Sequence, residues 1–449
     1  MKEIDGYKKT SNCYTGEIDG YGYALVPGSK RGVVLLDIRT KLLLDNLSIF
    51  QTRKDLSRIK LLFENGLLQL KNAPLFRPIL EKSKIKGMST WLHIANCCNL
   101  KCPYCYINKD KKLMSFQTAI LYLDKLEQTV SYHDLDLVII RFAGGEPTLH
   151  KPMIRFLIEQ TRRRFTEKGI RSKLILLTNG TLLDLNLIKM IKENSVRVCV
   201  SLDGLGEWHN KTRFFSAGTG SFDVLAKNLS LCLENDVRPT ILTTITDRNI
   251  SGIPMLSRFL IDANIPFRYG LYRDNVGDFK GYEDFVRKVS DVLNDCYDYY
   301  AQAIRDHGVV ASQQLCEIHL DRKPHLQGCN IGYSGIAVDH NGNVFACQAR
   351  MDKKPIGNLG TKKTLLEMAW SQDTFPELRS KDVLDYRGCQ GCQWSFICGG
   401  GCPVINFGAH GLATTSSPYC KLFKTMIPRL IELKALQLIW GHVKPKEVI

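Results

Sequence analysis

The sequence lacks any long apolar run. Its first residues, from Met1 to Gly6, have no apolar core of the kind found in signal peptides, and no uncharged stretch reaches membrane-spanning length. Hydrophobic residues make up 44% and charged residues 24%, which is ordinary for a globular protein. These features predict a cytoplasmic protein with no membrane partner.

Acidic side chains are also scarce. The 449 residues include 45 Asp and Glu against 61 Lys and Arg, so the formal net charge is +16. This excess favours acidic partners, and it fits equally well a protein whose surface is generally basic. We expect no nucleic-acid partner. A chain of this length exceeds the size of most single cores, so two or three domains are expected.

Cysteine, in contrast, is abundant. Sixteen cysteines in a cytosolic chain indicate metal or redox chemistry rather than disulfides. Three of them, Cys98, Cys102 and Cys105, fall within eight residues after an apolar run. Thiolates suit an iron–sulfur cluster, but a four-iron cluster has four irons to ligate and this loop supplies three ligands, so one iron would be open. The alternatives are a zinc site, although such sites usually have four protein ligands, or buried free cysteines.

The middle of the chain alternates short apolar runs with longer stretches that have room for a helix. This alternation predicts a parallel sheet with right-handed helical crossovers. Polar motifs follow several of the runs, at the strand ends where barrel folds carry their sites. The predicted strands are 91–95, 137–140, 174–177, 196–200, 241–245 and 266–269, and the motifs are Gly144-Gly145-Glu146-Pro147, Thr178-Asn179-Gly180 and Ser201-Leu202-Asp203-Gly204.

A second group of cysteines lies near the C-terminus. Cys329 is followed by twelve residues, a glycine, four residues and Cys347, and then by a C-x2-C-x5-C-x3-C run and one last cysteine. Asp339–Asn343 has the composition of a hairpin turn, in which Asn341 and Gly342 can adopt positive φ. The remaining members of the pattern are Cys389, Cys392, Cys398, Cys402 and Cys420.

These motifs together resemble the radical S-adenosylmethionine (SAM) superfamily, and the C-terminal cysteines resemble its SPASM domain, which carries two auxiliary clusters. The resemblance implies an α/β fold with a partial (β/α)6 barrel. It also implies SAM and three [4Fe–4S] clusters as cofactors, with SAM on the open iron of the cluster held by Cys98, Cys102 and Cys105.

The resemblance also implies which residues bind SAM. Glu146 would offer its carboxylate to the SAM ammonium group. Tyr104 fills the family's aromatic position beside the adenine, although it is also suited to anchoring the loop. Asn179 alternatively caps the next helix. The full set of predicted cofactor-binding residues is Tyr104, Gly144, Gly145, Glu146, Pro147, Asn179, Ser201 and Asp203.

In the SPASM resemblance, the cysteines divide between two auxiliary clusters. The first would be held by Cys329, Cys347 and Cys402. Some family members place a fourth ligand just before the first of these, but residues 322–326 contain no cysteine. Either Cys316 closes this cluster or one iron is open, and we favour Cys316. The second cluster would be held by Cys389, Cys392, Cys398 and Cys420, whereas the cysteines that fit no pattern are Cys13, Cys97, Cys199, Cys232 and Cys296.

The predicted domains are an N-terminal domain (1–82), the partial barrel (86–280), a helical bridge (281–315), the SPASM domain (316–425) and a C-terminal helix and tail (426–449). Within the first, two strands precede a helix that begins at Thr52, with Asp55 as its capping-box partner and Gly66 as its stop. This small α+β pattern resembles the winged-helix element that recognises peptides in many peptide-modifying members. The alternative is a structural extension packed on the barrel.

The resemblance implies an enzyme that modifies a ribosomally made precursor peptide. A 5′-deoxyadenosyl radical would remove a hydrogen atom, and an auxiliary cluster would accept an electron, so that the product is an oxidative cross-link. The expected partners are the peptide and an electron donor such as a flavodoxin or ferredoxin. Candidate catalytic residues are His93, Tyr272, Arg273 and Asp274, for which roles in the core or in loop hydrogen bonding are the simpler interpretation.

Two other functions stay open. One is anaerobic sulfatase maturation, in which a Cys or Ser becomes formylglycine. The subfamily that does this has an aspartate directly after the cysteine equivalent to Cys347, where this sequence has Gln348, which cannot act as a base. The other is a non-catalytic electron carrier that binds iron–sulfur or zinc, which leaves the Gly144–Pro147 motif and the barrel unexplained.

Overall fold

A computed structural model of the chain describes residues 6–27, 32–73, 81–273, 281–309, 311, 313–320, 324–371 and 382–441. Within these ranges, no helix is both long enough and apolar enough to span a bilayer. The structure consists of an N-terminal α+β unit, a large sheet flanked by helices, and a loop-rich C-terminal region.

The N-terminal unit has two small antiparallel sheets and two helices. One sheet has the order β2-β3-β4, and the other pairs β1 with β5. The predicted helix is present: Thr52 and Asp55 form a reciprocal capping box at its start. The elements are β1 (Tyr7–Lys9), β2 (Tyr14–Ile18), β3 (Tyr21–Leu25), β4 (Val33–Leu36), α1 (Ile38–Asp45), α2 (Arg53–Glu64) and β5 (Leu68–Leu70).

Two strands of the three-stranded sheet, β3 and β4, are buried on both faces. Alternate side chains of a strand point to opposite faces, so β3 and β4 supply two cores. Ala24 and Val34 pack with α1 and α2, whereas Tyr23 and Leu35 belong to the main core of the molecule. The N-terminal unit is therefore attached to the rest of the protein through an apolar face.

The six predicted strand–helix units are confirmed. Strands β6 to β11 are parallel and lie side by side in sequence order, as expected for a partial barrel. The elements are β6 (Gly87–Ala95), α3 (Phe116–Tyr132), β7 (Leu137–Gly144), α4 (Lys151–Arg164), β8 (Arg171–Thr178), α5 (Leu185–Glu193), β9 (Arg197–Ser201), α6 (Glu207–Asn210), α7 (Phe222–Glu234), β10 (Thr240–Ile245), α8 (Ile253–Asp262) and β11 (Phe267–Leu271).

The remaining elements follow the last barrel strand. They alternate with loops that carry most of the C-terminal cysteines. These elements are α9 (Tyr282–His307), β12 (Gln313–Leu315), β13 (Gly335–Val338), β14 (Asn343–Phe345), β15 (Gly357–Asn358), α10 (Leu365–Ala369), α11 (Ser395–Cys398), α12 (Pro403–His410) and α13 (Cys420–Trp440).

The barrel sheet is extended at both edges by further strands; the sequence predicted the hairpin turn between β13 and β14, but not the pairing of either edge strand with the barrel. Strand β12 pairs parallel with β11, and β13 pairs parallel with β6. The C-terminal β13–β14 hairpin therefore belongs to the same sheet as the barrel. In its turn, Gly342 has φ +83°, while the Asp339 side chain accepts hydrogen bonds from the Asn341 and Asn343 amides.

Two predicted boundaries differ from the observed elements. The predicted bridge over 281–315 contains α9, but it ends in β12, a strand of the main sheet. The boundary between 425 and 426 falls inside α13, which begins at Cys420. Both differences arise because short strands and helix starts near loops depend on tertiary partners rather than on local periodicity.

Candidate active site

The loop that contains the first three cysteines is held by two neighbouring segments. The Lys101 amide donates to the Phe214 carbonyl (2.8 Å), and the Asn179 side chain donates to Asn99 Oδ1 (2.9 Å). The Leu100 amide points at Cys98 Sγ (3.4 Å). Burial raises the pKa of the Cys98 thiol to about 11. Because iron binds the thiolate, loading a cluster here would release protons.

Gly144 and Gly145 pack against the start of this loop so closely that no larger residue fits. A Cβ at Gly144, where φ is +127°, would lie 2.0 Å from the Ala95 carbonyl oxygen. A Cβ at Gly145 would lie 2.2 Å from the Cys97 carbonyl oxygen. The Gly145 and Glu146 amides donate to these same carbonyls. The glycine pair therefore joins the end of β7 directly to the cysteine loop.

Glu146 is buried, and its carboxylate is largely satisfied by the protein. One oxygen accepts from the Thr148 amide (3.0 Å) and the Thr178 hydroxyl (2.7 Å), and the other accepts from the Asn179 amide (2.7 Å). Burial raises the pKa of Glu146, and these donors oppose the shift. A carboxylate has about four acceptor positions, so room for one further donor is left on the second oxygen.

Asp203 lies behind the cavity wall and organises two other side chains. It is fully buried, and one oxygen accepts from Tyr104, Thr212 (3.0 Å) and Arg213 Nε (2.8 Å). The Thr244 amide donates to the other oxygen (2.9 Å). The structure thus makes Asp203 a positioning residue, and its predicted direct contact with SAM stays a prediction.

Arg213 is a site residue that the sequence did not reveal. Its guanidinium stands 5.4 Å from the centre of the Tyr104 ring and 4.0 Å from Cys102 Sγ. Burial acts to lower the pKa of Arg213, but Asp203 and Tyr104 outweigh it and raise the pKa overall. No local pattern marks this arginine, because the side chains that its guanidinium contacts are ten or more positions away in the sequence.

These elements surround a cavity of about 330 Å³ at the carboxyl ends of the barrel strands. This volume lies within the range of small-molecule sites. Predicted residues that line it are Cys98, Cys102, Cys105, Tyr104, Gly144, Gly145, Glu146, Asn179, Ser201, His93, Arg273 and Cys316. Pro147 is buried at the start of the 3-10 turn Pro147–His150, which leads into α4.

The four candidate catalytic residues have different locations. His93 faces the cavity, and burial lowers its pKa to about 4, so it is neutral near pH 7. Arg273 lines the same cavity. Tyr272 instead lines a separate cavity of about 260 Å³ together with Tyr104. Asp274 lies outside the described residues.

Another cavity, of about 460 Å³, adjoins the one lined by the Cys98–Cys105 loop. We call the cavity at the loop the first cavity and this one the second cavity. Trp91, Arg268, Arg273 and Gln348 line both. Three of the four predicted ligands of the first auxiliary cluster, Cys329, Cys347 and Cys402, line the second cavity. The remaining predicted ligand of that cluster, Cys316, lines the first cavity.

Glycines bring two of these cysteines together. Gly399, Gly400 and Gly401 all have positive φ. A Cβ at Gly328 would lie 1.8 Å from the Gly401 carbonyl oxygen. This contact sets Cys329 beside Cys402, and only glycine permits it.

The predicted ligands of the second auxiliary cluster are also close to one another. Burial raises the pKa of the Cys389 thiol to about 11, and the neighbouring Cys420 and Cys392 thiols add to the shift. Burial likewise raises the pKa of Cys398 to about 12, with contributions from the Cys389, Cys420 and Cys392 thiols.

The donor sets suit clusters better than single ions. In the described part of the chain, no three His, Cys, Asp or Glu side chains converge closely enough to hold one metal ion. Four thiols instead line the first of the two adjoining cavities and three line the second, and the glycine pair leaves space that a Cβ would fill. The residues therefore fit thiolate-ligated iron–sulfur clusters.

Comparison with known proteins identifies the family. The profile described as "Radical SAM superfamily" matches residues 92–260, and the SPASM profile, described as "Iron-sulfur cluster-binding domain", matches residues 329–393. An uncharacterized protein of Methanocaldococcus jannaschii is 30% identical over 298 residues, which cover 65% of this chain and 92% of the relative. The chain belongs to the radical SAM superfamily.

Two further relatives of this radical SAM protein have named activities. A cysteine-type anaerobic sulfatase-maturating enzyme of Clostridium novyi is 26% identical, with 74% of this chain and 92% of the relative covered. The radical SAM cyclopropyl synthase TigE of Paramaledivibacter caminithermalis is 22% identical, with 93% and 90% covered.

Solved structures confirm the fold. Native anSMEcpe with bound AdoMet matches at a TM-score of 0.64 and 22% identity, with 77% of this chain and 99% of that chain covered. Streptococcus suis SuiB bound to precursor peptide SuiA matches at 0.55 and 16%, with 93% and 100% covered. The predicted cofactors, SAM and iron–sulfur clusters with auxiliary clusters in the SPASM domain, are confirmed for this family.

Proposed function

We propose that this radical SAM protein modifies a ribosomally made precursor peptide and introduces an oxidative cross-link. The observation that carries the proposal is the pair of adjoining cavities, one lined by the thiols of the Cys98–Cys105 loop and the other by Cys329, Cys347 and Cys402. When bound, SAM and its cluster supply a 5′-deoxyadenosyl radical that takes a hydrogen atom. A cross-link then requires the loss of one proton and one electron, and an acceptor in the second cavity would lie next to the substrate.

The chain's own residues hold the reactants and limit side reactions. Glu146 has one acceptor position left for the SAM ammonium group, and Arg213 offers its guanidinium to an anionic group beside Cys102. His93 is neutral near pH 7 and faces the cavity, so it can form a hydrogen bond with the substrate. We assign the predicted SAM contacts and cluster ligands on this basis.

The relatives support a peptide substrate. One solved structure is titled as SuiB bound to precursor peptide SuiA, and another as anSMEcpe with bound AdoMet and a Cp18Cys peptide. We further propose that the N-terminal unit recognises the peptide, because it has its own apolar core and its own sheet. A flavodoxin or ferredoxin as electron donor and a cytoplasmic location complete the proposal.

Sulfatase maturation is the second candidate, because the first relatives found carry that name. The structure places Gln348 at the border of the two cavities, where its side-chain oxygen is 3.6 Å from Cys347 Sγ. A neutral amide cannot take the proton that this reaction releases. The presence of Gln348 at this position therefore favours a different oxidation.

The first test uses anaerobically reconstituted protein, SAM, a reductant and the peptides encoded beside its gene. We expect one peptide to lose two hydrogens in a SAM-dependent reaction, measured by mass spectrometry, with the link located by fragmentation. A product that reacts with an aldehyde-specific hydrazide would instead support formylglycine formation. If no neighbouring peptide changes mass, the maturase function is wrong.

We also propose that this peptide carries a carboxylate near the reacting residue, because of the charges that line the second cavity. Arg141 and Arg268 line the second cavity, and neither has an ion-pair partner among the described residues. Burial lowers the pKa of Arg141, and the nearby Arg268 and Arg197 lower it further. Half-buried cations of like sign repel each other unless an anion joins them, so an acidic substrate group fits here.

This charge arrangement predicts a change in substrate affinity. Arg268→Gln should raise KM for the peptide by about tenfold to a hundredfold, because one charge-assisted hydrogen bond is worth about 1.5–3 kcal/mol. Arg268→Lys should recover part of the loss. A peptide whose Asp and Glu residues are replaced by Asn and Gln should show the same defect with the wild-type protein. Equal turnover of both peptides would contradict the proposal.

A further inference from the structure

Three thiols, those of Cys329, Cys347 and Cys402, line the second cavity. Cys316 does not line this cavity, because it lines the first. Its neighbour Glu317 lines the second cavity, together with the three cysteines. The two adjacent residues therefore line different cavities, while the Cys316 thiol stays close enough to Glu317 for the carboxylate to raise its pKa.

Glu317 is held in place more firmly than a surface carboxylate. Its side chain is only 6% exposed, and its backbone adopts φ +61°, a conformation that residues other than glycine rarely take. One carboxylate oxygen, Oε1, accepts from Arg273 at 3.2 Å. This contact orients the carboxylate and balances part of its charge.

The other oxygen of Glu317 has no partner. Oε2 is buried and makes no hydrogen bond within the described part of the chain. A buried, unsatisfied carboxylate oxygen is expensive, and proteins keep such groups where a ligand or metal satisfies them. The three thiols that share its cavity are the residues to which we assigned an iron–sulfur cluster.

We propose that Glu317, and not Cys316, is the fourth protein ligand of the first auxiliary cluster, through Oε2. Carboxylates are competent ligands for iron. Oε1 keeps its hydrogen bond with Arg273, which orients the carboxylate from outside the cluster. The inference rests on the proposed assignment of Cys329, Cys347 and Cys402. The Glu317 carboxylate would be a harder ligand than the Cys316 thiolate, and one that exchanges more readily.

The neighbouring polar side chains define the competing assignments. His319 and His325 also line this cavity, and their rings stack on each other at 4.1 Å. Gln348 Oε1 lies near Cys347 Sγ instead. A histidine ligand, Cys316 and an open iron are therefore the alternatives that a test must separate.

The test uses the full-length chain with Cys98, Cys102 and Cys105 replaced by alanine, so that only the auxiliary clusters contribute to the spectra. In this background, Glu317→Gln should shift the midpoint potential of one cluster to a higher value and change its EPR spectrum, because an anionic ligand is lost. The other cluster should be unchanged. Cys316→Ser is the matched control and should leave both clusters unaltered.

A second measurement probes the vacated coordination position. ¹³C-labelled cyanide should bind the Glu317→Ala protein and produce a ¹³C hyperfine coupling, which the parent protein should lack at the same cyanide concentration. Glu317→Cys should retain the full iron and sulfide content and resist cyanide, which also shows that the site tolerates substitution. No peptide or turnover is needed, so the result is independent of the proposed substrate.

Several outcomes would overturn the inference. A shift caused by Cys316→Ser, or by His319→Ala or His325→Ala, would assign the ligand to that residue. Equal cyanide binding with and without Glu317 would show an open iron. If Cys347→Ala removed neither auxiliary cluster, the underlying assignment of the three cysteines would fail, and the inference with it.

Discussion

Cys102→Ala is expected to abolish reductive SAM cleavage and to remove one cluster's share of iron and sulfide. The loop offers three thiols, so losing one leaves too few ligands to hold a cluster with an open iron. Cys102 also lies 4.0 Å from Arg213, within the group formed by Tyr104 and Asp203. We expect the 5′-deoxyadenosine yield to fall to that of protein without iron, as measured by chromatography.

Cys97→Ala is the matched control for this prediction. Cys97 precedes the proposed ligands directly, but its contribution to the site is the backbone carbonyl that accepts from the Glu146 amide. Its replacement should leave iron content and SAM cleavage close to wild type. If Cys97→Ala were as damaging as Cys102→Ala, the proposed ligand set of this loop would be wrong.

The second large effect is expected on stability, from Asp203→Asn. Asp203 is fully buried and pairs with Arg213, whose side chain is 11% exposed. An amide in this position leaves the guanidinium buried without its counter-charge and turns an NH2 group towards other donors. Breaking one partner of a buried ion pair costs about 3–5 kcal/mol, so we expect a loss of that order in the free energy of unfolding. Urea unfolding of the anaerobic holoenzyme measures it.

Thr212→Val provides the comparison for Asp203→Asn. It removes a single neutral donor to the same carboxylate oxygen and keeps the charge pair intact. The expected loss is about 1 kcal/mol, with little change in SAM cleavage. Similar losses in both variants would mean that the Asp203–Arg213 charge pair is not the dominant interaction.

Much of the fold could be predicted from the sequence. The six strand–helix units have strong apolar periodicity, and the Thr52–Asp55 capping box is a local signal, so both are confirmed. Strand β12, and the pairing of β12 and β13 with the barrel edges, could not be predicted, because each strand has only three or four residues and pairs with a segment distant in sequence. Their positions explain how the C-terminal cysteines reach the barrel opening.

The number of thiols in the first cysteine loop is a property of the sequence itself. The spacing of Cys98, Cys102 and Cys105 is local, so the number of thiols in that loop follows from the chain alone, and the C-terminal spacing likewise indicates further clusters. What surrounds those thiols was decided by tertiary structure. Arg213 and Glu317 act through partners brought close by folding, and neighbouring residues such as Cys316 and Glu317 reach different cavities. Spacing specifies which groups one loop can offer, whereas charge pairing and burial depend on which distant segments meet.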